Sequence, residues 1–446
     1  MVSLGVRSTG WKERYADRIC TADEAVQVVR SGDHVAVGSA WCTPPNLCAA
    51  LLRRKAELRN VQIHHVLGLV PWSGPGTEHA FRVHSGFLTP NDRPLLSEGR
   101  LEYAIGGPFR YFRGEAPVQR ADVCLVRVSA PDENGFCSFG SSMWGAKSMV
   151  QSSRVAIAEL DPAGVRTQGD NFVHVSAFDR IVEHAGPEPA PRQVTRTEEE
   201  TRVAEVINTI VAEELIEDGD TIQVGTGTVS AGLAHFLQNK HDLGVHTEVI
   251  FGGIPTLVQQ GVITGRRKGG PHPEKVVGTA FAGCTPEEMT YVNGNPAFEL
   301  YDVSYTNDIR TLIAHDRFVA YNNALLIDVT GQMTAETIGT RIHSGTGGQL
   351  AFAIGAAYSR GGRYICVTPS SSIVNGERRS RIMPVLSEGT AVSVPRGYMD
   401  IVVTEQGIAH LRGATLRQRV EQLIAIAHPD FRAELRAQAH ALHGVG

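Results

Sequence analysis

A seven-residue pattern of polar and apolar positions occurs twice in this chain. Residues 32–38 read GDHVAVG and residues 219–225 read GDTIQVG, with four identities in the seven positions. A stretch with helical character precedes each copy, at 21–30 and at 201–216. A turn of small residues and a second helix-like stretch follow, at 45–54 and at 230–238. Further apolar runs of strand length lie at 61–67, 123–128, 155–160, 247–250, 318–327, 364–368 and 401–404. Continuous apolar strands alternating with helices predict parallel sheets covered on both faces. The expected fold class is therefore α/β, built as two related open domains with mostly parallel sheets. Their expected bounds are 1–190 and 197–446, with the proline-bearing, aperiodic segment 184–196 (HAGPEPAPRQVTR) as linker. A second loop of that character, 266–274 (RRKGGPHPE), lies inside the C-terminal half.

Composition narrows the function. Hydrophobic residues make up 42% and charged residues 20%, the balance of a globular domain. The net charge of -5 argues against a nucleic-acid partner, which calls for a basic face. The seven cysteines are scattered and form no CxxC pair, so they are expected to be reduced, mostly buried thiols. No apolar run has the roughly 20 residues of a membrane helix. The first 18 residues, MVSLGVRSTGWKERYADR, lack the apolar core of a signal peptide. The expected location is the cytoplasm, with no membrane partner.

Parallel sheets present ligands at the carboxyl ends of their strands. The turn Gly225-Thr226-Gly227-Thr228-Val229 has that position. Its glycines let the backbone approach a ligand, and the helix behind it offers free N–H donors. By itself it also fits tight packing. It is not a dinucleotide fingerprint, and neither GxxxxGK[ST] nor GxSxG occurs in the chain. Next comes 244–253 (GVHTEVIFGG), where Glu248 interrupts an apolar run. Spacing leaves two readings open: a strand-end glutamate reaching solvent, or a carboxylate held at the sheet edge for chemistry. A third element joins 321–324 (YNNA), 328–332 (DVTGQ) and 343–349 (HSGTGGQ). The last is a glycine loop able to aim backbone N–H groups at a developing oxyanion.

In this order the motifs resemble the acetyl-CoA hydrolase/transferase family. The resemblance runs from about residue 33 to 431. It includes 129–136 (SAPDENGF) and 169–176 (GDNFVHVS) in the first half. The second half adds the 225–229 turn, His246-Thr247-Glu248, 295–299 (NPAFE), the 328–332 stretch and the glycine loop. It closes with 380–384 (SRIMP), 403–409 (VTEQGIA) and 426–431 (IAHPDF).

The resemblance implies a two-domain CoA-transferase fold with Glu248 as nucleophile. It implies that Gly225, Thr226, Gly227, Thr228 and Val229 contact coenzyme A. It places Gly347 and Gly348 in the loop that supplies oxyanion N–H groups, and Asn307 near the thioester. Coenzyme A is then a substrate, with an acyl-CoA and a carboxylate as partners, and no cofactor or metal is tightly bound. A homo-oligomer, dimer or larger, is the family expectation. Two alternatives stay open: an acyl-CoA hydrolase, and an acyltransferase delivering the acyl group to an amine or alcohol.

Departures from the family pattern bear on specificity. Ala351 and Ile354 stand where the family has an acid and a base, and Trp144 where it has Asp. Phe251-Gly252 replaces a common Ser-Asp. Paired loss of acid and base avoids a stranded charge, so drift in a supporting shell explains them as well as a larger apolar acyl pocket with Trp144, Phe251 and Ala351 in it. Glu133, in an Glu-Asn-Gly sequence, is the second candidate nucleophile, although Pro-Asp-Glu-Asn-Gly also reads as a tight turn. Glu405 and His428 read as structural. His64, His65 and His272 lack partners at metal-ligand spacing.

Overall fold

The computed structural model describes residues 10–105, 121–186 and 196–445. Of the expected linker, residues 187–195 lie outside the described residues. Two compact units form. The first comprises Met1–Ala190 with Met289–Tyr305, and the second Pro191–Glu288 with Thr306–Gly446. The stretch 289–305, assigned from sequence to the C-terminal half, thus belongs to the first unit.

In the first unit the main-sheet strands are β1 (His34–Val37), β2 (Val61–His65), β3 (Phe81–Ser85), β4 (Leu101–Tyr103), β5 (Val123–Ser129), β6 (Val155–Asp161) and β7 (Arg180–Glu183). They form one parallel sheet in the order β7-β6-β5-β1-β2-β3-β4. Every residue of β5 is buried, as a central parallel strand covered on both faces requires. The order reverses between β1 and β5, so β1, which carries the first seven-residue pattern, lies at the switch point.

The second unit repeats this plan. The strands that matter for the site are β8 (Thr221–Val224), β9 (Gly244–His246), β10 (Val249–Phe251), β11 (Val276–Gly278), β12 (Ala280–Ala282), β13 (Phe318–Asn323), β14 (Arg363–Val367), β15 (Ile401–Thr404) and β16 (Gly407–His410), with shorter strands beside them. Seven of them run β16-β15-β14-β13-β8-β9-β11, with β16 antiparallel and the others parallel. The order reverses between β8 and β13, and β8 carries the second pattern. Both halves therefore use the repeated segment as the switch strand of a mostly parallel sheet.

Local chemistry sets the elements. The helix α1 (Glu198–Ile210) starts at a capping box in which Thr197 and Glu200 exchange hydrogen bonds, satisfying orphan N–H groups of the first turn. The helix α2 (Gln349–Tyr358) packs among Leu312, Phe318, Tyr364 and Leu423 in the main apolar cluster of this unit. The apolar run 318–327 proved to be two strands. It breaks after β13 at Ala324 and resumes at Leu326–Asp328, where the chain leaves the main sheet.

Candidate active site

The carboxyl edge of the second unit's sheet gathers the polar residues. Glu248 lies between β9 and β10, at a break in the strand. β10 pairs with β12, and β9 with β11. At the break the Glu248 carbonyl accepts from both Thr279 N (2.9 Å) and Ala280 N (3.3 Å). The register is the same on both sides of the break, His246 facing Val277 and Val249 facing Ala280, so the shared acceptor marks a local break in the pairing with no inserted residue. Thr247, beside it, is buried and its hydroxyl donates to the carbonyls of Val224 (3.2 Å) and Val249 (3.1 Å). This interruption is why the expected strand 247–250 starts late and why an acidic side chain is tolerated in an apolar run.

The Glu248 side chain is half-buried, with protein atoms packed densely around the carboxyl group. Asn307 donates its side-chain Nδ2 to Glu248 Oε2. Burial pushes the carboxyl pKa up to about 7, and the Asn307 hydrogen bond opposes that rise. Thr306 Oγ1 donates to Asn307 Oδ1 (3.0 Å), which orients the amide with its nitrogen toward the carboxylate.

Gly348 closes the group from a third direction. A Cβ there would collide with Glu248 Oε2 and Asn307 Nδ2 and come within 3.0 Å of Phe352. Only glycine lets the backbone come this close. Gly347, before it, has φ +56°, and Gly348 is the N-cap of α2. The partially positive end of a ten-residue helix therefore lies beside the carboxylate. Glu336 steadies the loop, its carboxylate accepting from Thr346 Oγ1 (3.0 Å) and Ser393 Oγ (2.8 Å).

The 225–229 turn is built as tightly. Gly225 N donates to Tyr321 O (2.8 Å), and a Cβ at Gly225 would strike Asn322 Oδ1. A Cβ at Gly227 would strike the Asn323 amide. Asn208, on the buried face of α1, donates to Val229 O (3.0 Å) and accepts from the Tyr321 hydroxyl (2.9 Å). Val229 is buried, whereas the Thr226 and Thr228 side chains are exposed.

Other singled-out residues lie elsewhere. Trp144 is in the first unit, buried, with φ +45°, unusual for a bulky side chain. Phe251 is half-buried in β10. Ala351 is buried in the apolar cluster around α2. Glu133 is exposed in a turn where Asp132 Oδ1 accepts from the N–H groups of Asn134 and Phe136. Glu405 accepts from Ser370 N (2.9 Å), and His428 caps a short helix by accepting from Asp430 N (3.4 Å). Among the described residues no group of three His, Cys, Asp or Glu could hold a metal ion, and no helix is long and apolar enough to cross a membrane. Sequence reasoning gave no individual role to His246, Thr306, Asn323 or Ser230. His246 and Asn323 stood within motifs already noted, but nothing local signalled their contacts.

Two α/β units of this topology define an enzyme of the CoA-transferase class. The N-terminal domain model of acetyl-CoA hydrolase/transferase matches residues 5–190, and the C-terminal domain model matches residues 285–439. The 4-hydroxybutyrate coenzyme A transferase of Clostridium kluyveri is 36% identical over 431 residues, covering 95% of this chain and 98% of the relative. The butyryl-CoA:acetate CoA-transferase of Anaerostipes caccae is 35% identical over 443 residues, covering 95% and 96%. The crystal structure of RipA from Yersinia pestis superposes with a TM-score of 0.88 at 29% identity, covering 97% and 99%. The chain belongs to the acetyl-CoA hydrolase/transferase family.

Proposed function

We propose that this enzyme moves coenzyme A from an acyl-CoA to a carboxylic acid, with Glu248 as the nucleophile. The observation that carries the reading is the meeting of Glu248, the Asn307 amide and the Gly348 backbone at one point of the sheet edge. A carboxylate is a weak nucleophile in water, and positioning in a partly desolvated site makes it effective.

Asn307 holds Oε2, and Oε1 attacks the thioester carbonyl carbon. Backbone N–H groups of the Gly347-Gly348 loop receive the oxyanion. The C–S bond breaks, CoA thiolate leaves, and an acyl-glutamyl anhydride remains. The thiolate then attacks the Glu248 carbonyl carbon. The original acid departs as its carboxylate, leaving a glutamyl-CoA thioester. An incoming carboxylate attacks that thioester, forming a new anhydride and releasing thiolate. The thiolate attacks the new acyl carbon, and Glu248 is regenerated. One thioester is exchanged for another, so the sequence needs neither ATP nor a metal. The 225–229 turn receives the CoA substrate, with its exposed threonines facing outward and its glycines admitting close approach.

The test is chemical trapping. The enzyme is mixed with acyl-CoA, treated with borohydride, and mapped by peptide mass spectrometry. Reduction and loss of activity are expected at Glu248 and are absent in Glu248→Ala, while Glu133→Gln behaves as the parent. A label at Glu133 overturns the assignment. CoA release that ignores added carboxylates identifies a hydrolase, and acyl products with amines or alcohols identify an acyltransferase.

A further inference from the structure

His246 is a fully buried imidazole two residues before Glu248 that the transfer steps do not use. Its Nε2 lies 2.9 Å from the Thr306 carbonyl oxygen, so Nε2 carries the proton and donates. That carbonyl belongs to the peptide that enters Asn307. The Thr306 hydroxyl in turn donates to Asn307 Oδ1 (3.0 Å), and Asn307 Nδ2 donates to Glu248 Oε2. Thr306 is fully buried and Asn307 nearly so. Three hydrogen bonds, joined through the covalent frame of Thr306 and Asn307, therefore link His246 to the carboxylate through buried groups.

We infer that His246 is a positioning residue: by holding the Thr306 carbonyl it aims the Asn307 amide at Glu248 and keeps the carboxylate oriented for attack. This rests on the reading of Glu248 as nucleophile. A purely space-filling role accounts less well for the residue. His246 Nδ1 is buried with no hydrogen-bond partner, an unfavourable feature that an apolar ring of similar size lacks. Retaining an imidazole there at a cost in stability points to the work of Nε2. The surroundings hold the ring neutral in that tautomer. The His315 ring packs 4.6 Å from it, with its own Nδ1 on the Gly269 carbonyl at 2.5 Å. Burial and the nearby His315, Lys268 and His272 all disfavour a charge on His246. The hydrogen bond to Thr306 O opposes them by favouring the protonated form.

The experiment compares three substitutions in the full-length enzyme. His246→Phe keeps the volume and removes the donor. His246→Gln places an amide N–H near the Nε2 position, and His246→Asn places one near Nδ1. His246→Phe is expected to lower kcat by about tenfold or more, the scale of losing support for a charge-assisted hydrogen bond. KM for acyl-CoA should stay within about threefold, and thermal unfolding close to the parent, while the acid limb of kcat/KM moves to higher pH. His246→Gln should restore most of kcat and His246→Asn should not. If His246→Phe does not fold, the His246→Gln and His246→Asn pair carries the test, with the kcat loss and acid-limb shift expected in His246→Asn alone. A folded His246→Phe with parental kcat and pH profile overturns the inference, as does rescue by Asn in place of Gln, or equal activity of the two. The two readings separate cleanly. Glu248→Ala inactive with His246→Phe fully active sinks only the role of His246, whereas full turnover by Glu248→Ala sinks both.

Discussion

Asn307 reaches across 59 residues of sequence to donate its side-chain amide to Glu248 Oε2. Among the described residues it is the side-chain hydrogen bond that counters the burial of that carboxylate. The proton equilibrium of Glu248, and with it the fraction of enzyme ready to attack, therefore depends on a balance in which desolvation is opposed by this amide.

That balance has a measurable edge. Glu248 titrates near pH 7, so kcat/KM should rise through neutral pH as the carboxylate ionises. Removing the opposing hydrogen bond in Asn307→Ala raises the carboxyl pKa further. The acid limb should then shift to higher pH and kcat should fall about tenfold or more, the scale of a lost hydrogen bond to a charged group. Steady-state rates from pH 5 to 9 check this, and an unmoved acid limb removes Asn307 from the account.

The same carboxylate should weaken the fold as it ionises. Its folded pKa of about 7 lies above the ordinary 4.5, so the folded state binds the proton more tightly. The burial penalty is absent below the unfolded pKa, grows between the two values and is complete above about pH 7. Glu248→Gln should therefore match the parent near pH 4 and exceed it near pH 8, by at most on the order of 3 kcal/mol. Denaturant unfolding at the two pH values measures the difference. A gain that is equal at both values contradicts the proposed linkage.

Gly348 is constrained by what it touches. A methyl group there overlaps Glu248 Oε2 and Asn307 Nδ2, while the neighbouring main chain keeps an ordinary φ of -95°. Gly348→Ala should fold, because φ there is open to alanine, although alanine is a poorer N-cap than glycine and costs about 1 kcal/mol. Its kcat should drop by about a hundredfold, as expected when reacting groups shift by an ångström. Circular dichroism and steady-state kinetics on the same preparation separate the two effects.

Asp220 predicts the reverse, a loss of fold with no part in chemistry. Its buried carboxylate accepts from Glu217 N (2.7 Å), Arg317 Nε (3.1 Å) and the Arg363 guanidinium at the start of the sheet. Asp220→Ala strands two cations. The cost should be roughly 2–3 kcal/mol, short of the ~3–5 of a wholly buried pair because Arg317 can turn toward solvent. Urea unfolding reads it directly, and a change below about 0.5 kcal/mol would show the pair to be screened.

Much of the fold was legible along the chain. The repeated seven-residue pattern marked β1 and β8, and both proved to be the switch strands of their sheets. The run of β5, apolar apart from Arg127 and Ser129, marked a strand that is buried along its whole length. Two boundaries were not legible. The run 318–327 contains no glycine or proline to mark its break, and the segment 289–305 joins the first unit although it lies deep in the second half of the chain. Both depend on which distant strands compete for the segment, a property absent from local periodicity.

For the site, sequence alone determined that an acidic residue interrupts an apolar strand near glycine-rich turns, because burial and turn chemistry leave their mark on adjacent residues. The motifs and their order also carried the family. Only the tertiary structure decided what surrounds Glu248: the strand break opposite Thr279 and Ala280, the amide of Asn307, the bare backbone of Gly348, and the buried imidazole of His246 behind them. Short-range spacing encodes which face a residue takes within its own element. Which groups meet across a sheet edge is encoded by the packing of the whole unit, and a hydrogen bond between residues 59 positions apart has no period to reveal it.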